Sequence, residues 1–415
     1  MSIALESPTM SRTAWLVVVL LMPVALLNYL DRQMLAAMQA SVMADIPTIG
    51  SDAHWGFMLG QFKWVYAFLS PIGGYLADRF SRRFTICGSL FVWSGVTWWT
   101  GQVATYNELL WTRSLMGISE AFYIPAALAL IADYHVGSTR SRAVGLHQMA
   151  IYCGVIAGGF AGHVADEPSL GWRFTFDACG IVGMIYAVPL AFYLRDAPTS
   201  QAKTNMSRPT PLRAAQELVT NVSFVLLVLY FTLPALAGWV VRDWMPSILK
   251  REFGIGQGEA GVAATLYWQV AAILGAFVGG WWADAWMRHS ERGRILVSAI
   301  GMGLIVPAIF GVGNAGTLTM AVAFLVLFGL GWGFFDCNNM PILSQIVRPE
   351  LRATGYGIMN LVSISCGGLA DWGFGVMRDR AVPLNVIFGI FASAAIVSIA
   401  LVLLIKPRRN VADTV

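Results

Sequence analysis

Apolar residues fall along this chain in long unbroken runs, without the polar face that recurs every third or fourth position in a soluble helix. Runs over 14–38, 54–76, 84–104, 107–133, 142–164, 173–194, 222–249, 259–286, 294–312, 317–346, 353–376 and 383–405 predict twelve helices. About 20 residues rising 1.5 Å each cross a bilayer core, so nearly every run is long enough to span. An outer-membrane barrel would instead alternate in segments of about ten residues. Only one polar stretch is long, Arg195 to Asn221. It divides the chain into an N-terminal half (1–194), a cytoplasmic linker (195–221) and a C-terminal half (222–415). The expected fold is an all-α polytopic membrane protein with 12 transmembrane helices.

Composition agrees: 57% of the 415 residues are hydrophobic and 12% charged, against about 45–50% and 25% in soluble domains. No separate soluble domain fits in what the helices leave. The polar start, Met1 to Ser11, has no basic region before a cleavage site, so the first helix is expected to be retained. The five cysteines stand singly in apolar stretches, without metal-ligand or disulfide spacing. No Walker sequence, nucleotide loop or nucleophile turn is present. An enzyme, a metal and a cofactor are therefore not expected. Most of the 27 Lys and Arg residues lie in loops that place both termini in the cytoplasm of an inner-membrane protein. The net charge of +4 reports this topology, and no basic surface interleaved with aromatics argues for nucleic acid. The expected partners are the lipid bilayer and a small molecule, with the chain acting as a monomer.

The halves repeat each other. Gly73-Gly74-Tyr75-Leu76-Ala77-Asp78 ends the second helix and Gly279-Gly280-Trp281-Trp282-Ala283-Asp284 ends the eighth. Arg142-Ala143-Val144-Gly145 opens the fifth helix and Arg352-Ala353-Thr354-Gly355 the eleventh. Gly117, Glu120 and Pro125 of the fourth keep the spacing of Gly333, Asp336 and Pro341 of the tenth. Two six-helix pseudo-repeats are the arrangement expected of a transporter whose halves rock about a substrate. With Asp78-Arg79-Phe80-Ser81-Arg82-Arg83 after the second helix, where Ser81 replaces a usual glycine, and Gly171-Trp172-Arg173 entering the sixth, the chain resembles the major facilitator superfamily over its whole length. That resemblance implies a cytoplasmic latch built on Asp78, with Arg82, Asp133, Arg140 and Arg142 as members and Asp284 in the weaker second copy. Gly154-x3-Gly158-x3-Gly162 and Gly275-x3-Gly279 offer small faces for close helix approach.

Charges inside a membrane are costly and mark pathways. In the first helix Asn28, Asp31 and Arg32 border one stripe; in the fourth, Arg113, Gly117 and Glu120 share a face at i, i+4 and i+7. Each acid–base set is either a static pair or a titrating site whose proton affinity depends on the arginine's partner. Asp336 aligns with Glu120 as a further proton site, and Asn339 lies on its face. Lys63 either snorkels to the outer interface or adds a third cation; Gln269 is its repeat equivalent. Arg242-Asp243 reads as an interfacial salt bridge, Asp177 as a packing or gate partner, and His147 as a proton relay or a bonded core histidine. His135 is given no role.

The helix-one Asp-Arg, the Arg-x6-Glu of helix four and Trp244-Met245-Pro246 resemble the anion:cation symporter family, which moves sugar acids and other organic anions with protons. The resemblance implies proton uptake at Asp31 and Glu120, substrate contact by Arg32 and organisation of the acids by Arg113. The implied function is proton-coupled symport of a small organic anion; read from their own positions, Arg113, Lys63, Gln269 and Asn339 are further substrate-binding candidates. Gly117-Ile-Ser-Glu120-Ala121-Phe-Tyr123 and Ile131-Ala132-Asp133-Tyr134 also resemble Spinster-type transporters, which handle lysolipids. A lysolipid carrier is the alternative, and a neutral-sugar facilitator the third reading.

Overall fold

The computed structural model describes residues 8–79, 81–135, 139–197 and 211–407. Each apolar run is a helix or a pair of helices end to end: α1 (Pro8–Ala37) with α2 (Gln39–Asp45), α3 (Asp52–Arg79), α4 (Arg82–Thr100), α5 (Tyr106–Glu120) with α6 (Tyr123–Tyr134), and α7 (Arg140–Gly159) with α8 (Ala161–Asp166). Then follow α9 (Gly171–Tyr193), α10 (Pro211–Thr220), α11 (Val222–Phe253), α12 (Gln257–Met287), α13 (Gly293–Val312), α14 (Leu318–Ile346), α15 (Arg352–Asp379) and α16 (Leu384–Leu404). Among the described residues nine spans are long and apolar enough to cross a membrane by length and composition alone. The helices between them, α3, α4 and α15, are more polar.

Helix ends lie where side chains can satisfy backbone groups that the helix leaves open. Ser81, Asn221 and Thr317 accept N–H bonds at the starts of α4, α11 and α14, and Thr105 with Glu108 forms a reciprocal capping box on α5. Gly254, at φ 65°, ends α11 in the left-handed conformation that a side chain disfavours. Asp196 takes the Ser81 hydroxyl and the Arg83 N–H, so the end of the sixth span is tied to the loop after the second.

The described residues pack as two units. The first contains residues up to 50, 61–197 and 255–262; in it α1 lies along α7 and α4 along α9. The second contains 51–60, 211–254 and 263 onward; in it α11 lies along α15 and α16, and α13 along α14 and α16. Two features depart from the expected division. The linker contains the helix α10, which buries Ala214 and Leu218 and pairs Glu217 with Arg348 at 2.5 Å. The first turns of α3 and α12 pack in the unit that does not hold the rest of the helix. The Asp379 carboxylate accepts the N–H groups of Asp52 (3.0 Å) and Ala53 (2.8 Å), while Arg251 grips the Asp52 carboxylate at 2.5 and 2.8 Å. Asp166 accepts the N–H of Gly258 at 2.9 Å, and Gln257 exchanges hydrogen bonds with Ser41 at 2.7 and 3.1 Å. A carboxylate is a favourable cap for the positive end of a helix, and each of these helices takes its cap from an acid at the end of a distant one.

Gly171-Trp172-Arg173 acts as a bracket. Arg173 donates to the carbonyls of Gly101 (2.8 Å) and Val103 (2.7 Å), meets Asp45 at 2.9 Å and stacks on Trp172 at 4.5 Å. The carboxylate is half exposed and adds little; the two carbonyl bonds carry the contact. Arg173→Gln is expected to lower stability by about 1–3 kcal/mol, read as an earlier midpoint in denaturant titration of the detergent-solubilised protein. An unchanged midpoint would show the bracket to be idle.

Candidate functional site

The buried charges of the first unit come together on α1, α3 and α5. Pro125 offers no N–H to the carbonyl of Ala121, and helical bonding lapses between Glu120 and Tyr123. Glu120 therefore ends α5 deep in the protein, fully buried. Arg32 reaches it from α1: Nε and Nη2 both lie 2.7 Å from Oε2. Asn28 lies beside the same carboxylate. The partnership differs from the two sets expected along single helices. Arg32 joins Glu120 across helices, while Asp31, its neighbour in sequence, points elsewhere.

Asp31 is 2% exposed and its Oδ2 lies 2.9 Å from the Thr97 hydroxyl on α4. That hydroxyl also lies 3.0 Å from the carbonyl of Trp93. It has one proton for two acceptors. Thr97 can donate to an ionised Asp31, or accept from a protonated Asp31 and donate to Trp93. Oδ1 has no hydrogen-bond partner among the described residues, a costly state for a buried carboxylate and a natural one for an acid that takes protons.

Arg113 is 2% exposed. Its Nη1 lies 2.9 Å from the Met116 sulfur and its guanidinium carbon 4.6 Å from the centre of the Phe62 ring. Its charge acts on both Asp31 and Glu120. Lys63 is buried at 4% exposure, so its ammonium does not snorkel to the surface. Beside it, Gln61 donates to the Ser114 hydroxyl at 2.5 Å.

Aromatic residues around Arg32 were not legible as a site. The guanidinium carbon lies 4.9 Å from the ring centres of Tyr29 and Phe62 and 4.8 Å from that of Tyr66. Their signal in sequence was only that Phe62 and Tyr66 stand one helical turn apart on α3 near Lys63.

In the second unit Asp336 is exposed, on the face of α14 opposite its buried neighbours Phe335 and Asn338. Arg242 of α11 stacks over Trp239 at 5.3 Å and its charge reaches Asp336. The buried Asp243 is its sequence neighbour. Asn339 is 2% exposed, and neither amide atom has a hydrogen-bond partner among the described residues; Oε1 of the buried Gln269 is in the same state. Unpaired buried amides are uncommon and call for a reason.

The residues expected to form a cytoplasmic latch have the following contacts. Arg82 pairs with Asp133 and donates to the carbonyl of Ala129 at 2.8 Å. Asp284 meets Arg294 at 3.2 Å, and Arg140 and Arg142 are exposed. The side chain of Asp78 lies outside the described residues. Asp177 accepts from Gln102 at 2.7 Å, as a packing partner does. His147 is buried against the Tyr123 hydroxyl at 2.9 Å, the bonded core reading. His135, given no role, ties the start of α1 to the loop after α6 through Ala14 (3.1 Å) and Thr139 (3.2 Å). Among the described residues no cluster could hold a metal ion.

Comparison with known proteins accords with this architecture. The family model described as Major Facilitator Superfamily matches residues 21–371. Spinster homolog 1 of Homo sapiens is 32% identical over 394 residues, covering 88% of this chain and 73% of that one. A crystal structure of a bacterial homolog of the human lysosomal transporter Spinster superposes with TM-score 0.77 at 21% identity, covering 96% of this chain and 95% of that one. The D-xylose-proton symporter superposes with TM-score 0.74 at 18% identity over 97% and 98%. Of the two families that the sequence resembles, the Spinster proteins are among these relatives. The chain belongs to the major facilitator superfamily of transporters, and within it to the family of the spinster proteins.

Proposed function

We propose that the protein is a proton-coupled, alternating-access carrier of an organic anion, set in an inner membrane with both termini cytoplasmic. The observation that carries this reading is the Arg32–Glu120 pair, two opposite charges in the interior, with Nε donating to one carboxylate oxygen at 2.7 Å and Nη2 in ion-pair contact with the same oxygen. Breaking such a pair in a low-dielectric interior is expensive unless another charge replaces the one removed. A proton on Glu120 cancels its charge, and the carboxylate or phosphate of a substrate takes its place on Arg32. The summed charge of the site is then the same before and after loading. Asp31 holds a second proton through its reversible bond with Thr97, and Arg113 adds positive potential on the same side. Within the second unit, the buried Asn339 and Gln269 have amide atoms open to polar substrate groups.

Kinship with spinster proteins favours a second form of the same chemistry, an amphiphilic anion such as a lysolipid, whose headgroup binds the same arginine. A stability screen separates the forms, since a ligand that binds the native state raises apparent stability by mass action, by about 2.7 kcal/mol at 100 times its Kd. Purified protein is expected to be stabilised by one class among sugar acids, monocarboxylates and lysophospholipids, and the shift is expected to disappear in Arg32→Gln. Stabilisation by neutral sugars alone would overturn the reading.

A further inference from the structure

The pair with Glu120 does not account for the rings around Arg32. Tyr29 comes from α1, Phe62 and Tyr66 from α3, and their three centres lie at nearly equal distances, 4.8–4.9 Å, from the guanidinium carbon. Phe62 and Tyr66 are stacked, with centroids 6.0 Å apart and planes at 24°. Phe62 also lies 4.6 Å from the guanidinium carbon of Arg113. One phenyl ring thus serves two buried cations from two different helices, and Arg32 is 13% exposed although three aromatic side chains crowd it.

Carboxylates and ring faces hold a guanidinium in different ways. The carboxylate's attraction vanishes when it takes a proton. The attraction between a cation and the negative face of an aromatic ring persists at any pH and strengthens where water is excluded. A carrier whose arginine depended on Glu120 alone would lose the position of that arginine at the step where it has to bind an anion.

We propose that Tyr29, Phe62 and Tyr66 form an aromatic collar that holds the Arg32 guanidinium in place whatever the charge on Glu120, with Phe62 also seating Arg113. These are positioning residues; they keep the arginine presented to an anion after Glu120 has been neutralised. The inference deepens the proton-coupled reading and rests on it for its purpose, but its physical content concerns the ligand-free protein.

That content is tested by a double-mutant cycle on the thermal stability of the detergent-solubilised full chain, without ligand. Glu120→Gln stands for the neutral carboxyl. Phe62→Leu keeps apolar volume and removes the ring. The loss of Tm caused by Phe62→Leu is expected to be about twofold larger in the Glu120→Gln background than in the wild type, because coupled residues are not additive. Phe62→Tyr and Phe62→Trp, which keep a ring, are expected to restore stability in that background. Packing alone would give equal losses in both backgrounds and no preference for rings, and either result would overturn the collar. If Phe62→Leu with Glu120→Gln yields no folded protein, Tyr66→Leu against Tyr66→Phe completes the same cycle. A non-additive cycle in a protein that accumulates no anion would keep the collar and remove the transport reading; additivity in a protein that does accumulate anions would remove the collar alone.

Discussion

Gradient-driven accumulation of the anion identified by the stability screen is expected to be lost in Glu120→Gln, while exchange of that anion across the membrane is expected to persist. Glutamine keeps the shape of Glu120 and can accept a bond from Arg32, but it is permanently neutral. The arginine is then ready for an anion at every pH, and binding no longer requires a proton. A carrier that loads without a proton can equilibrate its substrate and cannot concentrate it. Proteoliposomes with an imposed pH gradient are expected to fill only to the external concentration, and counterflow of labelled against unlabelled anion to continue. The variant is also less stable, since removing one member of a buried pair costs about 3–5 kcal/mol; ring contacts, worth about 2 kcal/mol or more when desolvated, offset part of this. Asp31→Asn separates the roles. It is expected to leave Arg32–Glu120 intact and, being permanently neutral, to remove the second proton site, so accumulation should fall with little change in stability. Full accumulation by Glu120→Gln would remove Glu120 from proton coupling.

The helices were legible because a bilayer demands long apolar runs, and the boundaries fell close to those runs for the same reason. Partners were less legible. Sequence spacing places Asp31 beside Arg32 and Arg113 two turns before Glu120, but partner choice depends on which helix packs alongside and on where Pro125 interrupts the fourth span. Thr97 and Phe62 lie in apolar runs with no mark of function, and become part of the site only because α4 and α3 bring them to α1. The first turns of α3 and α12 were assigned by chain continuity, whereas Asp379 and Asp166 cap them from far along the sequence. The repeated glycines were read correctly as close-approach positions, and the contacts give the reason for their recurrence. Gly154 and Gly158 face the backbone of α1, and Gly275 and Gly279 face Leu330 and Phe334 of α14.

Gly117 and Gly333, equivalent in the two halves, are expected to tolerate alanine poorly. A Cβ on Gly117 would stand 2.9 Å from the carbonyl oxygen of Phe62, and one on Gly333 would fall onto the carbonyl of Ala272 and the N–H of Ala276. These are backbone atoms and cannot rotate aside, so α3 must move from α5, and α12 from α14. Overpacking of this kind costs about 1–3 kcal/mol or more. Gly303 on α13 has nothing within 4 Å of such a Cβ, and alanine there should gain about 0.5–1 kcal/mol through helix propensity. The three alanine variants, unfolded side by side in detergent, are expected to order as Gly303 above wild type and Gly117 and Gly333 well below it. At Gly117 the consequence extends beyond stability. The displaced segment carries Phe62, Lys63 and Tyr66, so the rings would be drawn away from Arg32, and anion binding should weaken in Gly117→Ala more than in Gly333→Ala. Equal stability of Gly117→Ala and Gly303→Ala would mean that α3 does not press on α5 at this point, and would remove the reason why a glycine is needed three residues before a functional acid.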